Sequence, residues 1–335
     1  MRIEQCDPAA EKTARACYDV MLAAHKADDP VEPPISYPAF AHYLREGWDK
    51  TPGELWAAVD DGGEITGFDR LTLPDLENLD KVYGAPTVHP AVRRRGIGRS
   101  LLRREAERAT AHGRTLFGAQ VIAGSAGDAF AVAVGARLDL EEVRRIQYLR
   151  EIAPGTIASL RATAERAAAG YWLVSWTGPT PDEYCDPMAG VFNAFNDAPR
   201  GENDEPEFWD ADRVRERTGS LLRAGLLRGY SVAALADATG EMAAFTGVIV
   251  DPESPSWGFQ QLTAVTRPHR GHRLGLLVKT AMLELLASAE PRVEWIITGN
   301  AASNEHMIGV NEQLGYRVAE PGWNIYEIAV SGIAE

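Results

Sequence analysis

Val88-His-Pro-Ala-Val-Arg93-Arg-Arg-Gly96-Ile-Gly98 runs into Arg99-Ser-Leu-Leu, and 177 residues later Val265-Thr-Arg-Pro-His-Arg270-Gly-His-Arg273-Leu-Gly275 runs into Leu276-Leu-Val-Lys. Each stretch reads as the end of a strand, a basic turn bearing glycine, and an amphipathic helix. That succession aims a row of backbone N–H groups and a helix N-terminus at an anion. The echo continues upstream, where Trp56-Ala-Ala-Val-Asp-Asp-Gly-Gly-Glu-Ile-Thr-Gly-Phe68 answers to Val232-Ala-Ala-Leu-Ala-Asp-Ala-Thr-Gly-Glu-Met-Ala-Ala-Phe245. Phe68 and Phe245 are again 177 apart. The chain reads as two copies of one domain.

The 335 residues are enough for two domains, each with its own core. A content of 45% hydrophobic and 24% charged residues is that of an ordinary globular protein. The formal charge of −14 argues against a nucleic-acid partner, which needs a broad basic face. Within this acidic chain Arg93, Arg94 and Arg95 gather in one turn and Arg267, Arg270 and Arg273 in the other. Such clusters suit a small polyanion better than a polymer. Cys6, Cys17 and Cys185 are too few and too scattered for a disulfide framework, and none has metal-ligand spacing, so no metal is expected. The start lacks the apolar core of a signal peptide, and no apolar run reaches membrane-spanning length. A cytoplasmic protein with no membrane partner is expected. Its oligomeric state is left open.

The pattern predicts a helix over 7–26, a second over 37–48, and a hairpin of Leu55–Val59 with Ile65–Leu73. A strand ends at Thr87–Val88, a helix covers 98–112, a strand Leu116–Ile122, a short helix 125–134, and a strand Arg144–Arg150. An Ala-rich helical connector follows at 154–170. The second copy repeats the order: helices near 182–196 and 211–224, strands at 230–236, 242–250 and 257–265, and a helix at 275–288. Strands at 293–298 and 324–330 then flank a helix at 303–313. The expected organisation is a first domain over 1–153, the connector 154–170, and a second domain over 171–335. The fold class is α/β with a mixed, α+β-like sheet in each domain.

The spacing of Arg93, Gly96 and Gly98 between a strand and a helix resembles the acyl-CoA pyrophosphate loop of the Gcn5-related N-acetyltransferases (GNAT). Over nearly its full length the chain resembles the tandem form of that fold, as in the two-domain acetyltransferases of actinobacteria. The resemblance implies acetyl-CoA, or another acyl-CoA, held in the first copy by Val88, His89, Arg93, Arg94 and Arg95, with Gly96, Ile97, Gly98, Arg99 and Ser100. In the second copy it implies Thr263, Val265, Arg270, Gly271 and His272, with Arg273, Leu274 and Gly275. Arg273 stands where the family usually has glycine. Two parallel strands would splay beside each turn, and the pantetheine would pair with Thr87–His89 or Thr263–Val265. The N–H of Val88 or Val265 would then polarise the thioester carbonyl, as an oxyanion donor does.

The two copies diverge after the fifth strand. Gly124-Ser-Ala-Gly-Asp-Ala-Phe130-Ala-Val-Ala-Val-Gly135 is small and apolar, whereas the second copy carries Asn300, Asn304 and Asn311 before Gly315. In single-domain relatives a tyrosine four residues before that glycine protonates the leaving thiolate. Here those positions hold Ala131 and Asn311. Asn311 can donate a hydrogen bond to sulfur but is no acid. The polar set marks the second copy as the reactive half, with Val265, Asn304 and Asn311 as its candidate catalytic groups and Asn304 and Asn311 also beside the cofactor. The bland alternative makes Asn304 a helix cap and puts Asn300 in a turn. Gln260 and Gln261 stand where relatives often place a glutamate base, and glutamine takes no proton. Glu327 and the acidic loop around Asp204–Asp210 are candidate bases, the loop otherwise reading as a solvated, flexible segment. His306 is expected at the surface, and Trp257, Trp295 and Trp323 in core packing or an acceptor pocket.

The expected activity is acyl-CoA-dependent N-acyl transfer to a small-molecule amine, with the second domain catalytic and the first binding acetyl-CoA mainly for structure. The alternatives are reversed roles, with the first domain catalytic, or a non-catalytic acyl-CoA-binding sensor or scaffold.

Overall fold

Residues 1–333 are described here by a computed structural model. They form two compact units, neither contiguous in sequence. The first comprises Met1–Val143, Arg200–Glu205 and the segment from Glu320; the second comprises Arg144–Pro199 and Pro206–Ala319. The last two residues of the span expected as 171–335 lie outside the described residues.

In chain order the first unit holds β1 (Arg2–Cys6), α1 (Glu11–Asp28), α2 (Tyr37–Glu46), β2 (Gly53–Val59) and β3 (Ile65–Thr72). Next come β4 (Lys81–Tyr83), β5 (Thr87–Val88), α3 (Ile97–Ala111), β6 (Leu116–Ile122), α4 (Ala126–Ala133) and the start of β7 (Arg137–Tyr148). The second unit takes residues 144–148 of β7 and adds α5 (Thr156–Ala167), β8 (Tyr171–Thr177), α6 (Asp182–Ala194), α7 (Ala211–Arg217) and α8 (Ser220–Arg223). It continues with β9 (Arg228–Ala236), β10 (Met242–Val250), β11 (Trp257–Val265), α9 (Leu274–Ala289), β12 (Trp295–Ala301), α10 (Glu305–Gln313) and β13 (Tyr316–Val318). The final β14 (Trp323–Ala329) and α11 (Val330–Ile333) belong to the first unit.

Each sheet is mixed. The first unit orders its strands β1-β2-β3-β4-β6-β14-β7, and only β4–β6 is parallel among its registered pairs. The second orders them β7-β12-β11-β10-β9-β8, with β11–β12 parallel. Period-2 alternation explains why both faces are covered. Along β2, Leu55, Ala57 and Val59 pack with α1 and α2, while Trp56 and Ala58 pack with Leu101, Leu102 and Ala106 of α3. The second unit repeats this, Ala233 and Leu235 joining Cys185 and Met188 while Val232 and Ala234 join Leu277 and Met282.

The expected strands and helices are present, most of them with shifted ends. The long helix starts at Glu11 rather than residue 7, and the helix at 211–224 is broken at Thr218 into α7 and α8. Four strands escaped the sequence reading: β1, β4, β8 and β13. β1 and β8 are edge strands exposed along much of their length, so they lack the apolar alternation of a half-buried strand.

The acidic loop is the clearest departure. Its first part is not a free segment but is pinned into the first unit. Fully buried Lys81 donates to Asp204 at 2.6 Å and to Glu327 at 2.7 Å. Asn203 and Arg137 also donate to Glu327, at 2.7 and 3.2 Å, and Asn78 and Glu205 exchange hydrogen bonds. Glu327 is thus held in ion pairs rather than offered as a base.

A second buried group bears on the site. Asp69 on β3 and Glu105 on α3 are both buried between sheet and helix, where the two carboxyls meet. Burial raises both carboxyls above their ordinary range, and the neighbouring Asp69 charge pushes Glu105 further. The pair holds a proton that the unfolded chain releases above pH about 4. The folded state therefore binds more protons, and stability falls as pH rises. Glu105→Gln should unfold at higher urea than the parent at pH 8, by about 1–2 kcal/mol, with the gap shrinking at pH 5. A carboxamide there also gives Asp69 a donor. Equal shifts at both pH values would mean that the pair carries no extra proton.

Candidate functional site

The two parallel pairs stop short of their turns. Registered pairing ends at Tyr83–Gly118 in the first unit and at Phe259–Ile297 in the second. Beyond those points the strands part. Asp69 helps to set the parting, since its carboxylate accepts from the Ala85 N–H, and a Cβ at Gly84 would lie 2.4 Å from Asp69 Oδ2. His89 N–H donates across to Thr66 O at 3.0 Å, and Thr266 N–H to Ala243 O at 2.9 Å. Neighbouring strand residues point their N–H groups to opposite sides, so Val88 and Val265 direct theirs into the gap.

The turns that follow share an unusual backbone. Arg94 and Gly96 have φ of 65° and 85°, and Gly271 and Arg273, at the matching positions, have 89° and 55°. Both turns are therefore left-handed twice, and each spends one glycine and one arginine on those positions. Arg273 does not lose the conformation that glycine supplies; the copies have exchanged which position carries it. A non-glycine residue held there costs about 1–2 kcal/mol. In the first copy the Ser100 N–H bonds to Gly96 O at 3.0 Å, and in the second the Leu277 N–H bonds to Arg273 O at 3.0 Å. The N–H groups before them have no intrahelical acceptor and carry the positive end of the helix dipole.

Arg93 and Arg270 have the same task in the two units. Each Nε donates to the carbonyl five residues back, Val88 O at 3.1 Å and Val265 O at 3.3 Å. The Arg93 guanidinium forms a fork with Asp28 at 2.9 and 2.6 Å, and Arg270 and Arg267 both bond Asp197. The hydrogen bond from Arg267, then that from Arg270, holds the Asp197 carboxyl below its ordinary value. These arginines brace the turn; Arg94, Arg95 and Arg99 are exposed around the first, and His272 and Arg273 around the second. His89 caps its short turn through Nδ1, which accepts from the Ala91 N–H at 3.2 Å.

In the first unit the gap opens into a cavity of about 670 Å3. Ala85 to Val88 form one wall, Gln120 to Ile122 another, and Gly96 to Arg99 the end. Phe130 and the small residues of α4 close the side, and His25, Asp28, Asp29 and Glu32 stand at the α1 end. A Cβ on Gly98 would meet Phe130 at 3.6 Å and Val88 at 3.8 Å, so the missing side chain is cavity space. Trp323 lines this cavity, whereas Trp257 and Trp295 pack on each other at 5.1 Å. Gln120 donates to Glu142 at 2.8 Å, and burial raises the Glu142 carboxyl against that bond.

The second unit spends its polar groups differently. Thr263 bonds Thr246 at 2.8 Å, and Gln260 donates to Thr246 and Gly247, so both are turned toward β10. Asn304 caps α10, its Oδ1 accepting from the Met307 N–H at 3.3 Å. Asn311 is fully buried and bonds Lys279 and Asn300. Lys279 was absent from the sequence reading, where it is one position in an otherwise apolar helix. Among the described residues no cluster of His, Cys, Asp and Glu is arranged to hold a metal, and no helix is long and apolar enough to cross a membrane.

No protein-family model matches the sequence, and no curated protein does so either. The structure is similar to that of a tandem GNAT protein from the clavulanic acid biosynthesis pathway, solved without AcCoA, at 29% identity and a TM-score of 0.80, over 98% of each chain. It is also similar to a GCN5-related N-acetyltransferase from Sphaerobacter thermophilus, at 17% identity and a TM-score of 0.69, over 98% of this chain and 95% of that one. An acetyltransferase from the GNAT family from Colwellia psychrerythraea matches at 12% identity and a TM-score of 0.56, over 98% and 99%.

Proposed function

The chain has the tandem fold of the Gcn5-related N-acetyltransferases, and we propose that it transfers an acyl group from acyl-CoA to the nitrogen of a small-molecule amine. The observation that carries this reading is the doubled site: a parted parallel strand pair leading into a twice left-handed basic turn and an open helix N-terminus. In both units the residues present fit acyl-CoA. Backbone N–H groups of the turn and helix match a diphosphate, and the parted strand offers edge N–H groups to an amide-bearing arm. Bound there, acyl-CoA supplies an activated thioester carbonyl.

The chain's own part is to bind, orient and stabilise. Arg93 and Arg270 fix the Val88 and Val265 carbonyls, which holds the N–H of the same residue in the gap as an oxyanion donor. The first unit, with its cavity and small, apolar α4, suits tight holding of acyl-CoA for structure. The second, with Asn300 at its gap and Asn311 and Lys279 behind it, suits the reaction. One observation favours reversed roles: Glu142, raised by burial and bonded to cavity-lining Gln120, has the character of a general base in the first unit.

The test is amine-dependent thiol release from acetyl-CoA by the full chain, across a panel of small amines, with Gly275→Leu as the second-unit variant. Release that disappears in Gly275→Leu supports the second unit as the reactive half. Release that survives it moves the reaction to the first unit. Acetyl-CoA binding without release under any amine leaves a sensor or scaffold, and no binding overturns the reading.

A further inference from the structure

Sheet register matches the copies residue by residue around the gap. Lys81 and Gly258 each lie seven residues before their turn valine, and they pair with Leu116 and Ile296. Four residues on stand Gln120 and Asn300; fifteen on stand Ala131 and Asn311. Leu102 and Lys279 each lie fourteen beyond their valine. Gln120 lines the first cavity, so Asn300 occupies the gap-lining position of the second unit. It is half-buried and lies beyond the last registered pair, Phe259–Ile297.

Behind Asn300 runs a polar relay where the first copy has only Leu102 and Ala131. Lys279 on α9 is buried, 4.7 Å above the Tyr316 ring, and donates to Asn311 Oδ1 at 2.7 Å. Asn311 Nδ2 donates to Asn300 Oδ1 at 2.8 Å. An ammonium has three donors and no acceptor, and that settles the direction of the chain. Asn311 must turn its oxygen to Lys279, its amide must face Asn300, and Asn300 must turn its own oxygen inward. Its Nδ2 is thereby left facing away from the relay. A buried polar set of this kind is retained at a cost, since a lysine out of water is penalised; burial draws Lys279 down to about 7, so the ammonium and the direction it sets belong to pH values below that. An apolar pair fills the same place in the first copy without that cost.

We infer that Lys279 and Asn311 are positioning residues that preset the Asn300 side chain as a hydrogen-bond donor to a carbonyl of acyl-CoA in the second unit. The inference rests on the acyl-CoA reading above. It gives the second unit a fixed donor where the first has a glutamine bonded to Glu142.

The experiment is calorimetric titration of acetyl-CoA into the full chain carrying Gly98→Leu, which fills the first cavity, with Gly275→Leu added as the control that removes the remaining heat. In that background Asn300→Leu weakens binding about tenfold, the worth of one hydrogen bond to a ligand. Lys279→Met weakens it similarly, because Asn311 and Asn300 are freed to flip. The double variant is no weaker than Asn300→Leu alone, since Lys279 acts through Asn300. Additive losses would show a general structural role and overturn the inference, as would Lys279→Met binding like the parent. Failure of the Gly98→Leu parent to bind at all would instead bring down the acyl-CoA reading for the second unit, and the inference with it.

Discussion

A chain ending at Ala319 should lose cooperative unfolding of its first unit while the second retains its own. β14 lies inside the first sheet, paired on one side with β6 from Trp323–Ile122 to Ala329–Leu116, and on the other with β7 from Trp323–Glu142 to Glu327–Arg137. Its removal opens two sheet edges at once. It also takes away buried Tyr326, Val330 and Ile333, each worth about 1.5–3 kcal/mol in a core. Glu327 goes with them, leaving fully buried Lys81 without its nearest buried carboxylate, and breaking a buried pair costs about 3–5 kcal/mol. The total is of the same size as the roughly 5–15 kcal/mol that stabilises a whole domain. Limited proteolysis with peptide mapping reads the result: cuts within residues 1–143 should dominate, with 206–319 protected. Uniform protection of both spans would show that β14 is dispensable.

Gly98→Leu should remove acyl-CoA binding to the first unit without loss of stability. Gly98 lies in the first turn of α3 with ordinary helical backbone, and its Cβ position meets only van der Waals contacts at 3.6–3.8 Å. Leucine is therefore accepted by the backbone and gains up to about 1 kcal/mol of helix propensity over glycine. Its remaining atoms enter the cavity, between Phe130 and Val88, where the ligand arm would lie. Native mass spectra should show acetyl-CoA stoichiometry falling from two to one, and unfolding without ligand should be unchanged or slightly later. Gly98→Ala, which adds only the Cβ, should keep both. Retention of two ligands by Gly98→Leu would place the first acyl-CoA elsewhere.

The repeat made much of this legible. Glycine and arginine spacing marked both turns, and helix and strand periods marked most elements that carry them. What stayed hidden was of two physical kinds. Backbone conformation at Arg94 and Arg273 is invisible in residue type, because left-handed φ is expected of glycine and is here imposed on arginine by the turn. Long-range pairing is equally silent: Lys81 meets Glu327 across 246 residues, and nothing local marks either as a partner. The arginines of the motif read as phosphate ligands, yet Arg93 and Arg270 bond Asp28 and Asp197 from the ends of preceding helical segments. Lys279 was passed over as one position in an apolar helix, because only the fold brings Asn311 and Asn300 into line with it.

The placement of β14 in the first unit also sets a timetable for synthesis. Residues 1–143 leave the ribosome about 190 residues before the strand that completes their sheet. At roughly 5–20 residues per second the wait is about 10–40 seconds. Through that interval β6 has an open edge and Lys81 no Glu327. Because the first unit takes β14 from beyond the second, no single cut in the chain separates the two units into independently folding halves.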